Sequence, residues 1–327
     1  MRAAWYTKTG AAAEVLEIGE SATPEPGPGE VRVRLHASGV NPSDVKSRRG
    51  RPDRPMAFPR IVPHSDGAGV IDALGASVPE GRLDERVWVW NAQWQRPDGT
   101  AADYVVLPAE QAVALPEGTD FAAGACLGIP ALTAWRAVTL AGPPAGRTIL
   151  VAGGAGAVGH YAIQIAKLKG ARVLTTVSSP DKAAEARAAG ADAVIDYRRE
   201  DVAARVRELT GGDGVDLVAE VDLGGNAALL PQVLRLGGTA AVYGSNTPEV
   251  TLPFGAYLFR DIALCFFLVY ELADPVRRDG IAELTEMLRA GRLQHRIAAR
   301  FPLERIAAAH EAVESGRVTG HVIVDLA

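Results

Sequence analysis

Gly154, Gly156 and Gly159 stand in the spacing Gly-x-Gly-x-x-Gly, directly after the apolar run Thr148-Ile149-Leu150-Val151-Ala152 and directly before a helical pattern. A strand before and a helix after are the context in which this spacing does chemistry. The first glycine permits a tight turn, the second lets the backbone approach a pyrophosphate, and the third lets the helix pack on the strand. Free amides at the helix N-terminus then face the anion. Gly154, Ala155, Gly156, Ala157, Val158 and Gly159 are therefore expected to hold a dinucleotide. The alternative is a glycine-rich turn without a ligand.

A second seat lies at the end of the following strand, Arg172–Val177, where a carboxylate would take the ribose 2′-hydroxyl of NAD. Ser178 and Ser179 occupy that seat. Without the negative charge a 2′-phosphate is not repelled, and Ser178 with Lys182 could hold one through charge-assisted hydrogen bonds. NADPH is thus expected over NADH, although Lys182 also reads as a solvated lysine in a first helical turn. Sulfur offers little: Cys126 and Cys265 are far apart in apolar stretches and form neither a disulfide framework nor a Cys-x-x-Cys pair. Both are expected to be core thiols. The six histidines, His36, His64, His160, His295, His310 and His321, show no paired metal-ligand spacing.

The elements that must position these groups fall into two textures. Up to about residue 120, short alternating runs are broken by Gly and Pro, and the pattern predicts strands at Val31–Leu35, Gly69–Leu74, Val87–Trp90 and Tyr104–Leu107. From about Arg147, apolar β-branched runs alternate with Ala-rich helical stretches, as in a parallel sheet with crossover helices. Strands are expected at Thr148–Ala152, Arg172–Val177, Ala193–Asp196, Val215–Val221, Thr239–Tyr243 and Ile262–Val269. Helices are expected at Val158–Lys169, Asp181–Ala189, Asp201–Leu209, Ala227–Leu236, Val276–Ala290 and Leu303–Glu314, and His321–Leu326 is again strand-like. The fold class is α/β, with a doubly wound sheet whose ligand crevice lies at the carboxyl ends of its strands.

With 327 residues, 48% of them hydrophobic, the chain can bury the cores of two domains. A net charge of -5 with dispersed Lys and Arg leaves no basic tract for nucleic acid. No run of about 18 apolar residues exists, and the start Met1-Arg2-Ala3-Ala4-Trp5-Tyr6 has no apolar signal segment. No membrane association and a cytoplasmic location are expected.

The runs Ala37-Ser38-Gly39-Val40-Asn41-Pro42-Ser43-Asp44, His64-Ser65-Asp66-Gly67-Ala68-Gly69 and Gly128-Ile129-Pro130-Ala131-Leu132-Thr133-Ala134-Trp135, together with the glycine turn, carry a resemblance over essentially the whole chain. It resembles the zeta-crystallin-like quinone oxidoreductases, a zinc-free branch of the medium-chain dehydrogenase/reductase superfamily. The resemblance implies a GroES-like, β-rich catalytic and substrate domain at 1–122 and 270–327, and a Rossmann dinucleotide-binding domain at 123–269. The catalytic zinc ligands of the superfamily's alcohol dehydrogenases align with Asn41, Ser65 and Ile129, none of which is a zinc ligand of that type. The structural zinc lobe is replaced by the short Asn91–Asp103 loop, and no metal is expected.

Without a Lewis acid the acceptor itself must absorb the charge that hydride brings. Quinones do so by becoming aromatic, and α,β-unsaturated carbonyls by delocalising an enolate. The resemblance further implies that Asn41 lies beside the nicotinamide and Thr133 near its carboxamide or the phosphates; Asn41-Pro42 also reads as turn initiation. Tyr197 is implied beside the adenosine phosphate, and Tyr243, Gly244, Ser245, Asn246, Phe266, Phe267 and Leu268 as further cofactor contacts. The family's motif commonly has tyrosine where Lys46 stands, so Lys46 or Arg48 could polarise the acceptor oxygen; the alternative is a solvated basic loop of Lys46, Arg48 and Arg49. Trp90 or Trp94 could stack on a quinone, or belong to a strand core with Trp88.

The Ile262–Val269 run is too apolar for an exposed edge, and family practice pairs such edges into a homodimer. Three rival readings remain: an enoyl or acyl-thioester reductase of the same superfamily, a non-enzymatic RNA-binding or crystallin-like role, and a zinc alcohol dehydrogenase with unusual ligands.

Overall fold

The computed structural model describes residues 1–50 and 55–326, which separate into two compact units, Met1–Pro130 with Thr285–Ala327, and Ala131–Leu284. The Leu132–Thr139 helix belongs to the second unit, where it packs on the parallel sheet and on the Ala157–Leu168 helix.

The second unit is built on six parallel strands in the spatial order Ala193–Asp196, Arg172–Val177, Thr148–Val151, Val215–Glu220, Leu234–Val242, Ala263–Phe266. Numbered along the chain this is 3-2-1-4-5-6, the doubly wound order whose switch point lies between the first and fourth strands. Val, Ile and Leu on both faces explain the continuous apolar runs: a parallel sheet covered by helices has no solvent face. Ile149, Val173, Leu174, Leu217 and Val218 are essentially inaccessible, each contributing about 1.5–3 kcal/mol by burial.

Three expectations fail locally. The helix expected over Ala227–Leu236 is two short pieces, Leu223–Asn226 and Leu230–Val233, followed at once by a strand. Pro231 has no N–H for an interior turn but suits the first turn of a new helix. The edge run also pairs only over Ala263–Phe266, since its neighbour ends at Val242, and no strand among the described residues lies on its outer side. Cys265, expected in the core, is part-exposed there, whereas Cys126 is buried.

In the first unit the long strand Glu30–Val40 is the spine. It pairs antiparallel with Asp66–Leu74, Tyr104–Pro108 and His321–Asp325, the last placing Val324 opposite Ser38. The alternation seen at Val31, Val33 and Leu35 points these side chains into a core shared with Ile71, Val87 and Leu107. The Ile306–Glu314 helix covers this core with Ile306 and Ala309.

Candidate functional site

In the second unit the glycine turn is held from beneath by the neighbouring strand. The Gly153 amide donates to Thr176 Oγ1 at 3.1 Å and the Gly154 amide to the Thr176 carbonyl at 3.1 Å. Gly153 itself has φ +69, a left-handed residue that the motif spacing did not single out. A Cβ at Gly154 would overlap Thr175 Oγ1, and one at Gly159 would overlap the Gly153 carbonyl, so packing alone requires both glycines. Gly156 differs. It is exposed, its φ of -73 suits any residue, and a Cβ there would meet only the Gly153 carbonyl at 3.3 Å. It is also the N-cap of the Ala157–Leu168 helix, whose first turn receives no side-chain cap. A helix N-terminus left uncapped over a residue with no side chain fits an oxyanion as the cap, and the residues present therefore suit a dinucleotide pyrophosphate.

Because all six strands are parallel, their carboxyl ends lie along one edge and gather the other expected contacts. Val177 is followed by Ser178 and by Ser179, whose hydroxyl accepts the Lys182 amide at 3.3 Å as the cap of the Pro180–Ala188 helix. Ser178 and the Lys182 side chain are part-exposed beside it. Tyr197 is half-exposed and its amide donates to the Val177 carbonyl at 3.1 Å. At the fourth strand, buried Glu220 accepts the Asn226 amide at 2.9 Å and the Asp222 N–H at 2.5 Å; burial raises its carboxyl despite these bonds. Asp222 in turn receives both the backbone and the side-chain N–H of Asn246, at 2.8 and 2.9 Å. The Gly244–Asn246 segment is thereby pinned to the switch point, a role for Glu220 and Asp222 that sequence reading missed. Ser245 donates to the Thr247 carbonyl at 2.8 Å, and Tyr243 lies 6.0 Å from Phe267, ring centre to ring centre. Phe266 and Leu268 are exposed, Phe267 part-buried, and Thr133 is buried on the Leu132–Thr139 helix.

In the first unit Asn41 is the N-cap of a helix, Pro42–Arg49, where a loop was expected. Its backbone N–H donates to Asp44 Oδ2 at 2.7 Å, as in a capping box, and its side-chain amide donates to Asp66 Oδ2 at 2.8 Å. Asn41 thus bridges two buried carboxyl groups. Burial raises both, Asp44 to about 7 and Asp66 well above the usual carboxylate range, and the bonds from Asn41 only partly oppose this.

The structure corrects the expectation for Arg48. Its side chain is 0% exposed and pairs with Glu314 at 2.7 Å while also donating to the Gly10 carbonyl. It is neither a solvated cation nor available to a substrate. Lys46 is exposed on the same helix, and Arg49, also exposed, pairs with Glu314. Trp88 is fully buried in its strand; Trp90 and Trp94 are half-buried. Of the positions aligned with zinc ligands, Ser65 and Ile129 are buried and the Asn41 amide is committed to Asp66. The nearby thiol, Cys126, donates to the Ala122 carbonyl at 3.3 Å, and burial pushes it up, away from thiolate. Among the described residues no three His, Cys, Asp or Glu converge as metal ligands. These donors do not fit a zinc ion.

Comparison with known proteins is consistent across the chain. Residues 27–117 match the alcohol dehydrogenase GroES-like domain family and residues 157–288 the family described as zinc-binding dehydrogenase. A quinone oxidoreductase of Pseudomonas aeruginosa is 34% identical over 327 residues, covering 95% of each chain. Among solved structures, an NAD-dependent alcohol dehydrogenase is 32% identical with a TM-score of 0.91 over 100% of both chains. An Escherichia coli quinone oxidoreductase complexed with NADPH is 25% identical with a TM-score of 0.87, covering 99% of this chain and 100% of that one.

Proposed function

Because the chain belongs to the medium-chain dehydrogenase/reductase superfamily, alongside the quinone oxidoreductases, we propose that it is an NADPH-dependent reductase that passes hydride to quinones or conjugated carbonyl compounds without a metal. The observation that carries this reading is the donor set at Asn41, Ser65 and Ile129, which replaces zinc ligands with an amide engaged by a carboxyl group, a buried hydroxyl and a hydrocarbon. An alkoxide has no Lewis acid to rest on there, so acceptors that disperse charge internally are favoured.

Bound NADPH supplies the hydride. The chain's own residues bind and orient: the uncapped helix amides at Gly156 take the pyrophosphate, and Ser178 with Lys182 takes the 2′-phosphate. The NADPH complex of the E. coli relative supports the same choice. The segment Tyr243–Asn246, held by Asp222, with Thr133, Tyr197 and Phe266–Leu268, forms the rest of the cofactor contact set. Asn41, fixed by Asp66, frames the reacting end; Lys46 is the remaining candidate cation, and Trp90 or Trp94 the candidate stacking face. The NAD-dependent alcohol dehydrogenase among the neighbours favours a second reading, opposed by the missing carboxylate after Val177. A cytoplasmic setting suits free Cys126 and Cys265, and no described helix is long and apolar enough to cross a membrane.

The test compares NADPH with NADH oxidation across quinones, enones and aldehydes, with and without chelator. We expect quinones or enones to be the best acceptors, a preference for NADPH of about tenfold or more, unchanged rates with chelator, and a Lys182→Ala enzyme whose preference falls by about tenfold, as for loss of one charge-assisted bond. Aldehyde or alcohol turnover abolished by chelator would overturn the reading.

We further propose a homodimer formed through the Ile262–Val269 edge. Phe266 is 65% exposed on that edge, and the nearby Phe254–Leu258 helix and its C-cap residue expose Phe254 at 73% and Phe259 at 85%. Apolar rings on and beside a strand whose outer edge is open need a cover. Sedimentation equilibrium should give twice the chain mass, and Phe266→Glu should shift it to monomer; a monomeric wild type at micromolar concentration contradicts the proposal.

A further inference from the structure

A buried polar chain runs through the first unit: Thr100 Oγ1 donates to the Asp66 carbonyl at 2.5 Å, Ser38 Oγ lies 2.7 Å from Thr100 Oγ1, His64 Nδ1 lies 2.8 Å from Ser38 Oγ, and His310 Nε2 lies 2.9 Å from His64 Nε2. All five residues are fully buried, so these bonds are made among the protein's own groups. Counting hydrogens fixes their direction. A carbonyl cannot donate, so the single threonine hydrogen goes to Asp66. Ser38 must then donate to Thr100, which leaves it none for His64. His64 therefore carries its proton on Nδ1, its Nε2 is bare, and His310 donates from Nε2 with its own Nδ1 bare. Among the described residues His310 Nδ1 has no hydrogen-bond partner, so no acceptor calls for a proton there.

Neutral rings are what the surroundings favour. Burial, then the neighbouring ring, lowers His64; burial and the Arg48 guanidinium lower His310 to about 3, with the Glu314 carboxylate opposing. The far end of the chain also closes on itself. His310 and Glu314 lie one turn apart on one helix, and Glu314 grips Arg48 and Arg49 at the end of the helix that Asn41 begins. Asn41 is consequently held at both sides: through its amide to Asp66, and through its own helix to Glu314.

We propose that His64 and His310 are positioning residues, whose one-directional hydrogen-bond chain through Ser38 and Thr100 fixes the Asp66 backbone and thereby the orientation of the Asn41 amide. The strut uses a left-handed backbone at His64, φ +78, to aim the ring inward at both Ser38 and His310. Its relevance to turnover rests on the reading that Asn41 frames the reacting end of the nicotinamide.

Histidine-selective 15N labelling tests the chain without any substrate. Among the six ring systems, His64 should show a protonated Nδ1 and bare Nε2 at pH 7, and His310 the reverse, assigned through the loss of one spin system in His310→Gln. The opposite tautomer at either ring, or a charged ring, overturns the proposal. Asn41 is one of four asparagines, and its side-chain amide signal should move in His310→Phe, which removes the donor, and return in His310→Gln, which restores one. An Asn41 signal unmoved in a folded His310→Phe protein also overturns it. In kinetics His310→Phe should lower kcat about tenfold with the KM for NADPH within about twofold, and His310→Gln should recover most of the loss. Unchanged kcat in His310→Phe removes the positioning role. Correct tautomers and a shifted Asn41 amide in a protein that reduces no quinone or enone would uphold the strut and reject the functional reading instead.

Discussion

A Gly156→Asp protein is expected to unfold at slightly higher denaturant concentration than wild type and to bind NADPH at least about a hundredfold more weakly, about 2.7 kcal/mol. The opposite signs come from one atom's position. At an N-cap the side-chain oxygen sits over the first-turn amides, and at Gly156 those amides have no side-chain cap. An aspartate would bond them and meet the positive end of the helix, gaining about 0.3–1 kcal/mol. The Gly153 carbonyl, 3.3 Å from the new Cβ, need only give slightly. The same carboxylate would stand where the pyrophosphate must stand and repel it. Fluorescence titration with NADPH and urea unfolding measure the two arms. Weaker stability together with unimpaired binding would mean that the amides do not face the anion. Gly154 and Gly159 make poor probes, because a Cβ at either collides with Thr175 or Gly153 and would disturb fold and ligand together.

The second large effect concerns stability. Glu314→Gln is expected to cost about 3 kcal/mol and Arg48→Met about 1 kcal/mol, although both remove the same ion pair. The Arg48 side chain is 0% exposed and that of Glu314 is 23% exposed. Removing the carboxylate leaves a guanidinium charge buried without its partner, whereas removing the guanidinium leaves a carboxylate that water and Arg49 can serve. Hydrogen bonding from Arg48 holds the Glu314 carboxyl below its usual value, with burial opposing. A depressed folded value means that this stabilisation is present above the ordinary glutamate range and is lost as pH falls through the folded value. Urea unfolding of both variants at pH 7, and of wild type on acidification, checks the order. Arg48→Met proving the costlier change would show that the Gly10 contact, and not the charge, dominates.

Local chemistry was legible in the sequence wherever a pattern repeats within a few residues. Apolar β-branched runs located all six parallel strands, and Gly154, Gly156 and Gly159 marked the turn between the first strand and helix. The Pro42–Arg49 helix was missed although its signals are local: Asn41 as cap, Pro42 in the first turn and Asp44 at the third position. Asp44, Val45 and Arg48 then fall on one face, which is why an arginine in an apparently basic loop is buried. The His64–His310 contact joins residues 246 positions apart, and no spacing rule encodes it. The same holds for Glu314 with Arg48. Polar partners that meet only through tertiary folding leave no period in the chain. The edge run was read too long because apolar content reports burial or association, while pairing stops where a neighbouring strand ends.

The first unit takes its central strand from residues Glu30–Val40 and that strand's partner from His321–Asp325, whereas the second unit is one continuous stretch. During synthesis the nucleotide-binding unit can therefore complete itself while its companion waits. Until the ribosome has translated past Asp325, the nascent Ala37–Val40 edge stays unzipped, and Asn41 and Asp66 lack the bracket supplied by His310 and Glu314. Local contacts form early and distant ones late, so the corner that holds Asn41 and Asp66 takes its shape only after the parallel sheet has had its whole length of chain.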